Sequence, residues 1–116
     1  MPSPTPLPGR PVRGSGTGRP IMALLDLLGR RWALRVIWEL RHEPVPTFRD
    51  LQQRCGGVSS SVLAGRLREL GEAGIVRHAG DGYVLTPAGR DLLERLGTLD
   101  DWAVGWATRM SGEHGA

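Results

Sequence analysis

The sequence lacks lysine and contains only one cysteine and three histidines, and the scarcity of cysteine and histidine limits the disulfides and metal sites that the protein can form. Cys55 has no second cysteine with which to form an internal disulfide. His42, His78 and His114 stand far apart, without the spacing of a metal site, so we expect neither a metal nor a cofactor. No apolar run approaches the roughly 18 residues of a membrane helix. The N-terminus also lacks the apolar core of a secretory signal, so we expect a cytoplasmic protein without a membrane partner.

Arginine supplies all 15 basic residues, and its distribution along the chain is uneven. Residues 1–20 carry three arginines and no acid, whereas residues 21–116 carry 12 arginines against 12 acids. Within the second part, residues 47–78 have a formal charge of +2 and residues 79–116 a formal charge of −3. The positive field therefore falls on the N-terminal segment and on residues 47–78, where we expect a polyanion to dock.

Composition and periodicity divide the chain into three parts. Residues 1–19 are rich in proline, glycine and arginine and show no periodicity, which predicts a disordered arm. This arm could follow a DNA backbone or enter a minor groove, or it could be a solvated extension. Residues 20–110 are predicted to form one domain with a C-terminal dimerisation helix, and residues 111–116 a flexible tail.

The first part of the domain is helical and contains a helix-turn-helix pattern. Apolar residues at helical spacing predict helices over about 20–28 and 31–42. Thr47 is a suitable N-cap for a short helix over 48–54, which a glycine pair ends. A serine run then starts a helix over about 59–73. A capped helix, a glycine turn and another capped helix are the signature of a helix-turn-helix.

A short hairpin and a long helix complete the domain. Residues 75–78 and 83–85 are predicted strands joined by a Gly80-Asp81-Gly82 turn, and Thr86-Pro87 is typical of a helix start. Apolar residues then recur at intervals of four and three over residues 92–110, which is a heptad seam wider than one small domain needs to bury. We therefore predict a homodimer. Its predicted interface comprises Leu24, Leu28, Leu92, Leu96, Leu99, Trp102 and Trp106.

The order of these patterns resembles the HxlR-type winged helix-turn-helix transcriptional regulators, which are close to the MarR group. The matching landmarks are Leu28-Gly29-Arg30-Arg31-Trp32, Phe48-Arg49-Asp50-Leu51, Val58-Ser59 with Leu63, Arg66-Leu67-Arg68-Glu69-Leu70, Gly74-Ile75-Val76, Tyr83-x-Leu85-Thr86 with Gly89, and Trp102. The resemblance implies a mainly α fold with a small β-wing (α+β), with N- and C-terminal helices at a dimer interface. Arg19-Pro20 stands where the family commonly has Cys-Pro, the thiol through which some members sense oxidants. The wing is also shorter than is usual in the family.

The helix over 59–73 is the predicted recognition helix. Leu63, Leu67 and Leu70 form its buried seam, and its open face carries Ser61, Ala64, Gly65 and Arg68, with Ser60 at the edge. Arg68 could hold a guanine edge, or it could pair with Glu72 four residues on. Further DNA contacts are predicted for Arg49, Arg66, Arg77 and His78.

Two further features have alternative interpretations. Cys55 is either a structural thiol or a redox-responsive one whose pKa is lowered by Arg54. Four tryptophans could line a pocket for a small-molecule effector, although packing in the core and the interface is the stronger interpretation at helical spacing. They are Trp32, Trp38, Trp102 and Trp106.

The function predicted from these patterns is a sequence-specific DNA-binding transcriptional regulator acting as a homodimer on a pseudo-palindromic promoter site. The alternative is a winged helix that serves as a protein–protein interaction module without DNA binding. We do not expect an enzyme, because the sequence pairs no nucleophile with a base and contains neither a metal set nor a phosphate loop.

Overall fold

The described part of the chain contains five helices and one two-stranded antiparallel sheet, as a winged helix requires. The structure is a computed structural model that describes residues 4–42 and 44–115, with the backbone alone for residues 113–115. The helices are α1 (Pro20–Leu28), α2 (Ala33–Glu39), α3 (Phe48–Cys55), α4 (Ser60–Glu72) and α5 (Pro87–Gly115), and the strands are β1 (Val76–Ala79) and β2 (Gly82–Leu85). This arrangement confirms the predicted α+β fold class.

Helix α2 is shorter than the sequence predicted at both ends. Its N-cap, Trp32, takes a left-handed conformation with φ 77°, which a non-glycine residue rarely adopts and which keeps it outside the helix. At the other end, Leu40 is the C-cap and residues 41–42 form a turn. The buried side chains of α2 nevertheless include Val36 and Ile37, both fully inaccessible, so the helix spans the centre of the core.

Helices α3 and α4 are capped as their sequences predict. The Thr47 hydroxyl accepts a hydrogen bond from the Asp50 backbone N–H, and the Asp50 carboxylate accepts one from the Thr47 N–H. Gly56 ends α3 with φ 63°, and the Ser59 hydroxyl caps α4. The predicted buried seam of α4 is confirmed: Leu63, Leu67 and Leu70 are all buried in the core cluster.

The wing is a hairpin with a two-residue turn, and Gly82 belongs to β2 rather than to the turn. The register pairs Val76 with Leu85 and Ala79 with Gly82. The Tyr83 N–H donates to the Pro46 carbonyl, so β2 is also held against the chain just before α3. At Gly82 a Cβ would come within 2.7 Å of the Val45 side chain. A side chain at position 82 would prevent the close approach of β2 to residues 45–46, which explains why glycine stands at this strand position outside the turn.

Helix α5 extends beyond the rest of the domain. Its 29 residues span about 43 Å. The radius of gyration, 15.9 Å, exceeds the roughly 13 Å expected of a compact chain of this length. The helix continues to Gly115, so the backbone of residues 111–115 is helical where the sequence predicted a flexible tail.

The N-terminal segment differs from the predicted disordered arm. Residues 4–19 follow a defined path in which residues 9–18 form a hairpin, here called the N-terminal hairpin, with a bridge between Val12 and Ser15. Thr5 is buried and donates to the carboxylate of Glu72 at the end of α4. The apolar content of this segment is too low to order it. Glycines at the tight positions of the hairpin and specific polar contacts order it instead.

Candidate nucleic-acid interface

The exposed face of α4 lies between two grooves. One groove, of about 720 Å³, separates α4 from α1 and the N-terminal hairpin, and we call it the hairpin groove. The other, of about 380 Å³, separates α4 from the wing, and we call it the wing groove. A helix that projects between two clefts has the shape needed to enter a major groove while its flanks face the two phosphate backbones.

The hairpin groove collects most of the positive charge near α4. Five arginines line it against two carboxylates, and the predicted DNA-binding residues on its wall are Ser61, Gly65, Arg66 and Arg68. The other lining arginines are Arg13, Arg30 and Arg31. Sequence reasoning did not place Arg30 and Arg31 at this site. They follow α1 in the chain, and only the packing of α1 beside α4 brings them there.

The wing groove contains the predicted DNA-binding residues on the wing side of α4. It is lined by Ala64 and Arg68 from α4 and by Arg77 and His78 from β1. The side chains of Arg77 and His78 are both exposed, and the His78 ring packs against Tyr83 with 4.4 Å between ring centroids. The structure therefore brings α4, Arg77 and His78 to one surface.

Arg68 is the one predicted contact that lines both grooves. Its guanidinium lies 3.4 Å from the Glu72 carboxylate, and both side chains are about half exposed, so the predicted i,i+4 pair exists in the free protein. The Thr5 hydroxyl, with Arg68 contributing less, holds the pKa of Glu72 below its usual range. Exposed ion pairs contribute little to stability, so Arg68 can leave Glu72 for DNA at small cost.

Arg66 is held differently. Glu69 is buried, and its two carboxylate oxygens accept from the Arg66 and Arg30 guanidiniums. Removing one partner of a buried ion pair leaves an uncompensated charge, so these bonds fix the turn after α1 against α4. The geometry gives Arg66 a positioning role on the groove wall, whereas its predicted DNA contact stays a prediction.

Two other predicted DNA contacts lie outside both grooves. The Ser60 hydroxyl accepts from the Gln52 side-chain amide at 3.1 Å, at the exposed N-terminus of α4. Arg49 is exposed in the first turn of α3. In a helix-turn-helix the first helix crosses the DNA backbone, so Arg49 stays a predicted phosphate contact at the periphery.

Cys55 is buried at the end of α3 and is 4% exposed. Burial raises the pKa of its thiol, and the nearest charges, Arg35 and Glu39, act in opposite directions. The expected lowering of this pKa by Arg54 is wrong, because the Arg54 guanidinium turns to the Glu39 carbonyl. A buried protonated thiol has the properties of a packing residue rather than a reactive one.

The predicted dimer residues fall into two groups in the structure. Leu28, Leu92 and Leu96 are partly buried against the core, and Leu24 lines a small apolar cavity with Leu92 and residues 6–8. Leu99, Trp102 and Trp106 are each at least half exposed on the projecting part of α5, and Met110 there is 38% exposed. Trp102 and Trp106 stack with 5.8 Å between ring centroids.

The four tryptophans do not line one pocket. An open apolar pocket of about 420 Å³ between α2 and α5 includes Trp38, Leu34 and Leu99, but none of the other tryptophans. In the described part of the chain, no three metal-ligating side chains come close enough to hold an ion. Among the described helices, none has both the length and the apolar character to cross a membrane.

Comparisons with known proteins identify relatives of this chain in sequence and in fold. The model of the HxlR-like helix-turn-helix family matches residues 27–111. The uncharacterized HTH-type transcriptional regulator YtfH of Escherichia coli is 31% identical over 90 residues, covering 72% of this chain and 71% of YtfH. Quinone-bound YodB from Bacillus subtilis superimposes with a TM-score of 0.68 at 28% identity, over 73% of this chain and 96% of YodB. A possible HxlR family transcriptional factor from Thermoplasma volcanium gives 0.64 at 26% identity, over 72% and 80%.

Proposed function

Because the chain belongs to the HxlR-like helix-turn-helix family of DNA-binding transcriptional regulators, we propose that it acts as a homodimer on a pseudo-palindromic promoter site. Each copy inserts α4 into a major groove, and the two grooves lie about 34 Å apart along the DNA. The protein acts by occupying DNA and not as an enzyme.

The observation that carries the proposal is the projection of α4 between two basic clefts. Arg68 stands at the shared edge, where its planar guanidinium can bind the O6 and N7 atoms of a guanine. Ala64 and Gly65 leave little side chain elsewhere on the face, so shape and deformability of the DNA supply part of the specificity. We therefore expect a short operator half-site with one or two strongly preferred base pairs.

The homodimer is supported by the projecting part of α5. Leu99, Trp102 and Trp106 are exposed there on one side of the helix, and such contiguous apolar surface is uncommon on monomers. The heptad spacing suits packing against the same helix of a second copy. Because a twofold interface uses one patch twice, this stripe is sufficient for a closed dimer.

Sedimentation of a Trp102→Glu/Trp106→Glu double variant tests the dimer. We expect the wild-type protein to sediment as a dimer and the double variant as a monomer with unchanged helix content. Val104→Glu is the matched control, because Val104 is 62% exposed on the opposite side of α5. A double variant that stays dimeric would place the interface elsewhere.

DNA binding is tested by selecting sequences from random DNA and measuring affinity across a salt series. We expect an enriched inverted repeat and a steep fall in affinity with salt, since each neutralised phosphate contributes a slope of about 0.9. Enrichment of a single half-site would contradict the proposed binding as a homodimer. Loss of all sequence preference would instead favour the protein-interaction alternative.

A further inference from the structure

We propose that the N-terminal hairpin is a second DNA-contacting element, which places Arg13 on a backbone phosphate at the edge of the major groove that α4 enters. This inference rests on the proposed binding of DNA by α4. It extends that binding to residues that lie outside the range 27–111 matched by the family model.

The hairpin has a defined backbone geometry. Val12 and Ser15 exchange two backbone hydrogen bonds of 2.9 and 3.0 Å, and the Gly9 N–H donates to the Gly18 carbonyl at 3.0 Å. Gly14 and Gly18 adopt φ of 83° and 72°, which glycine reaches without strain. Arg13 therefore occupies the tip of a two-residue turn.

The tip is docked on α1. The backbone N–H of Arg13 donates to the Asp26 carboxylate at 3.1 Å. Gly14 packs so closely on α1 that a Cβ there would meet the Met22 side chain at 2.5 Å. The base of the segment is held as well, because the Arg30 guanidinium donates to the Pro4 carbonyl at 2.9 Å. These bonds use the backbone of the tip and leave the Arg13 side chain exposed.

The charge of the hairpin groove suits a phosphate. Of its two carboxylates, Asp26 is bound to the Arg13 N–H and Glu69 to two arginines. Arg13 and Arg31, both exposed, line the cleft together with Ser61, and the five arginines of the cleft outnumber its two carboxylates. Besides Arg13, residues 1–20 carry Arg10 and Arg19 and no acid. A nucleic-acid backbone is the polyanion that α4 already brings to this position.

The position of Arg13 mirrors that of Arg77 in the wing. Arg77 and His78 flank α4 on one side, and Arg13 and Arg31 flank it on the other. A major groove is bordered by two phosphate strands about 12 Å apart. A recognition helix with cations on both flanks can therefore contact both strands, which compensates for the short wing.

The test compares Arg13→Ala with Arg19→Ala on the selected operator. Both remove one positive charge from the same segment, but Arg19 lines neither groove. We expect Arg13→Ala to weaken binding several-fold uniformly across operator sequences and to lower the salt slope of the bound dimer by about two, about one for each copy. Arg19→Ala should leave the slope unchanged.

Three outcomes would overturn the inference. If Arg13→Ala keeps the wild-type slope while Arg68→Ala weakens operator binding, α4 reads DNA without the hairpin and the proposed function stands. If deleting residues 1–18 tightens binding, the hairpin covers the site instead of extending it. If the wild-type protein has no operator, the proposed function fails and this inference fails with it.

A double-variant comparison separates the effect of positioning the hairpin tip from the effect of the Asp26 charge. Asp26→Ala removes a negative charge near the DNA, which by charge alone would tighten binding. If Asp26 positions the tip, the effect of Arg13→Ala should shrink in the Asp26→Ala background, as expected of coupled residues. Equal effects of Arg13→Ala in both backgrounds would show that docking of the tip is irrelevant.

Discussion

The wing and the N-terminal hairpin flank the same helix but are held in place by different means. The wing is joined to the core by the buried side chains of Val76 and Leu85 and by the Tyr83–Pro46 backbone bond. The tip of the N-terminal hairpin is held by one carboxylate, Asp26, and by close packing of Gly14. Disturbing the wing should therefore affect the stability of the whole domain. Disturbing the hairpin should affect DNA binding alone.

The largest effect is expected from Arg68, which belongs to both grooves. Arg68→Ala removes the one long side chain on the open face of α4, and loss of a bidentate base contact costs about 1–3 kcal/mol in each half-site, or about 5- to 150-fold in affinity per half-site. Fluorescence anisotropy with the selected operator and a scrambled sequence measures this effect.

The loss in Arg68→Ala should be larger on the operator than on scrambled DNA. Arg95→Ala is the control, because Arg95 lies on α5 in an exposed pair with Asp91. An equal loss on both DNAs would mean that Arg68 contacts phosphate rather than a base. Adding Arg77→Ala should weaken binding further without changing the oligomeric state.

A strong effect on stability is expected at Gly82 in the wing. A Cβ there would overlap the Pro46 backbone, and overpacking of this kind costs about 1–3 kcal/mol. Gly16→Ala in the N-terminal hairpin is the matched control, because a Cβ at Gly16 meets open space. Urea unfolding should give a lower midpoint for Gly82→Ala only, and equal midpoints would contradict the anchoring of the wing.

A smaller and more selective effect is expected from Gly18→Ala. The new Cβ would overlap the Arg10 backbone at φ 72°, so the hairpin opens while the core cluster, which includes no residue before Leu27, stays intact. We expect a nearly unchanged melting temperature and a salt slope of the bound dimer lower by about two, about one for each copy. A marked fall in melting temperature would show that the hairpin is part of the cooperative unit.

The smallest effect is expected from lowering the pH, which protonates Asp50 in the capping box at the start of α3. Hydrogen bonds from the Thr47 backbone and hydroxyl lower the pKa of Asp50 in the folded protein. Because the folded pKa lies below the unfolded one, Asp50 stabilises the fold fully above about pH 4 and loses this contribution as the pH falls further.

The Asp50→Asn variant makes this acid effect measurable. The difference in unfolding free energy between wild type and Asp50→Asn should be constant from pH 7 to pH 5 and should shrink at pH 3.5. Asp81→Asn, at the exposed tip of the wing, is the control. A difference that grows towards acid pH would contradict the assigned direction of the pKa shift.

The elements with a local signature could be predicted from the sequence. Thr47 and Ser59 mark the starts of α3 and α4, and the spacing of Leu63, Leu67 and Leu70 marks the buried face. These features depend on neighbours within one or two turns. Which side chains of α4 contact DNA stays a prediction.

The remaining features depend on contacts that join distant parts of the chain. Thr5 and Glu72 are 67 residues apart, and no periodicity links a proline-rich segment to the end of a helix. The pairing of Arg30 with buried Glu69 is equally invisible in the sequence. Trp32 takes a left-handed conformation that shortens α2. The sequence gives no sign of this, because position 32 holds neither glycine nor asparagine, the residues that favour such a conformation. The sequence therefore predicted the helix-turn-helix and the wing, and it raised a DNA contact by residues 1–19 without placing that segment beside α4.

The most direct test of a reading helix with two basic flanks is phosphate ethylation interference on the selected operator. We predict interfering phosphates on both edges of each major groove, with one cluster weakened in Arg13→Ala and the opposite cluster weakened in Arg77→Ala. Interference on one edge only, or loss of the same cluster in both variants, would contradict it.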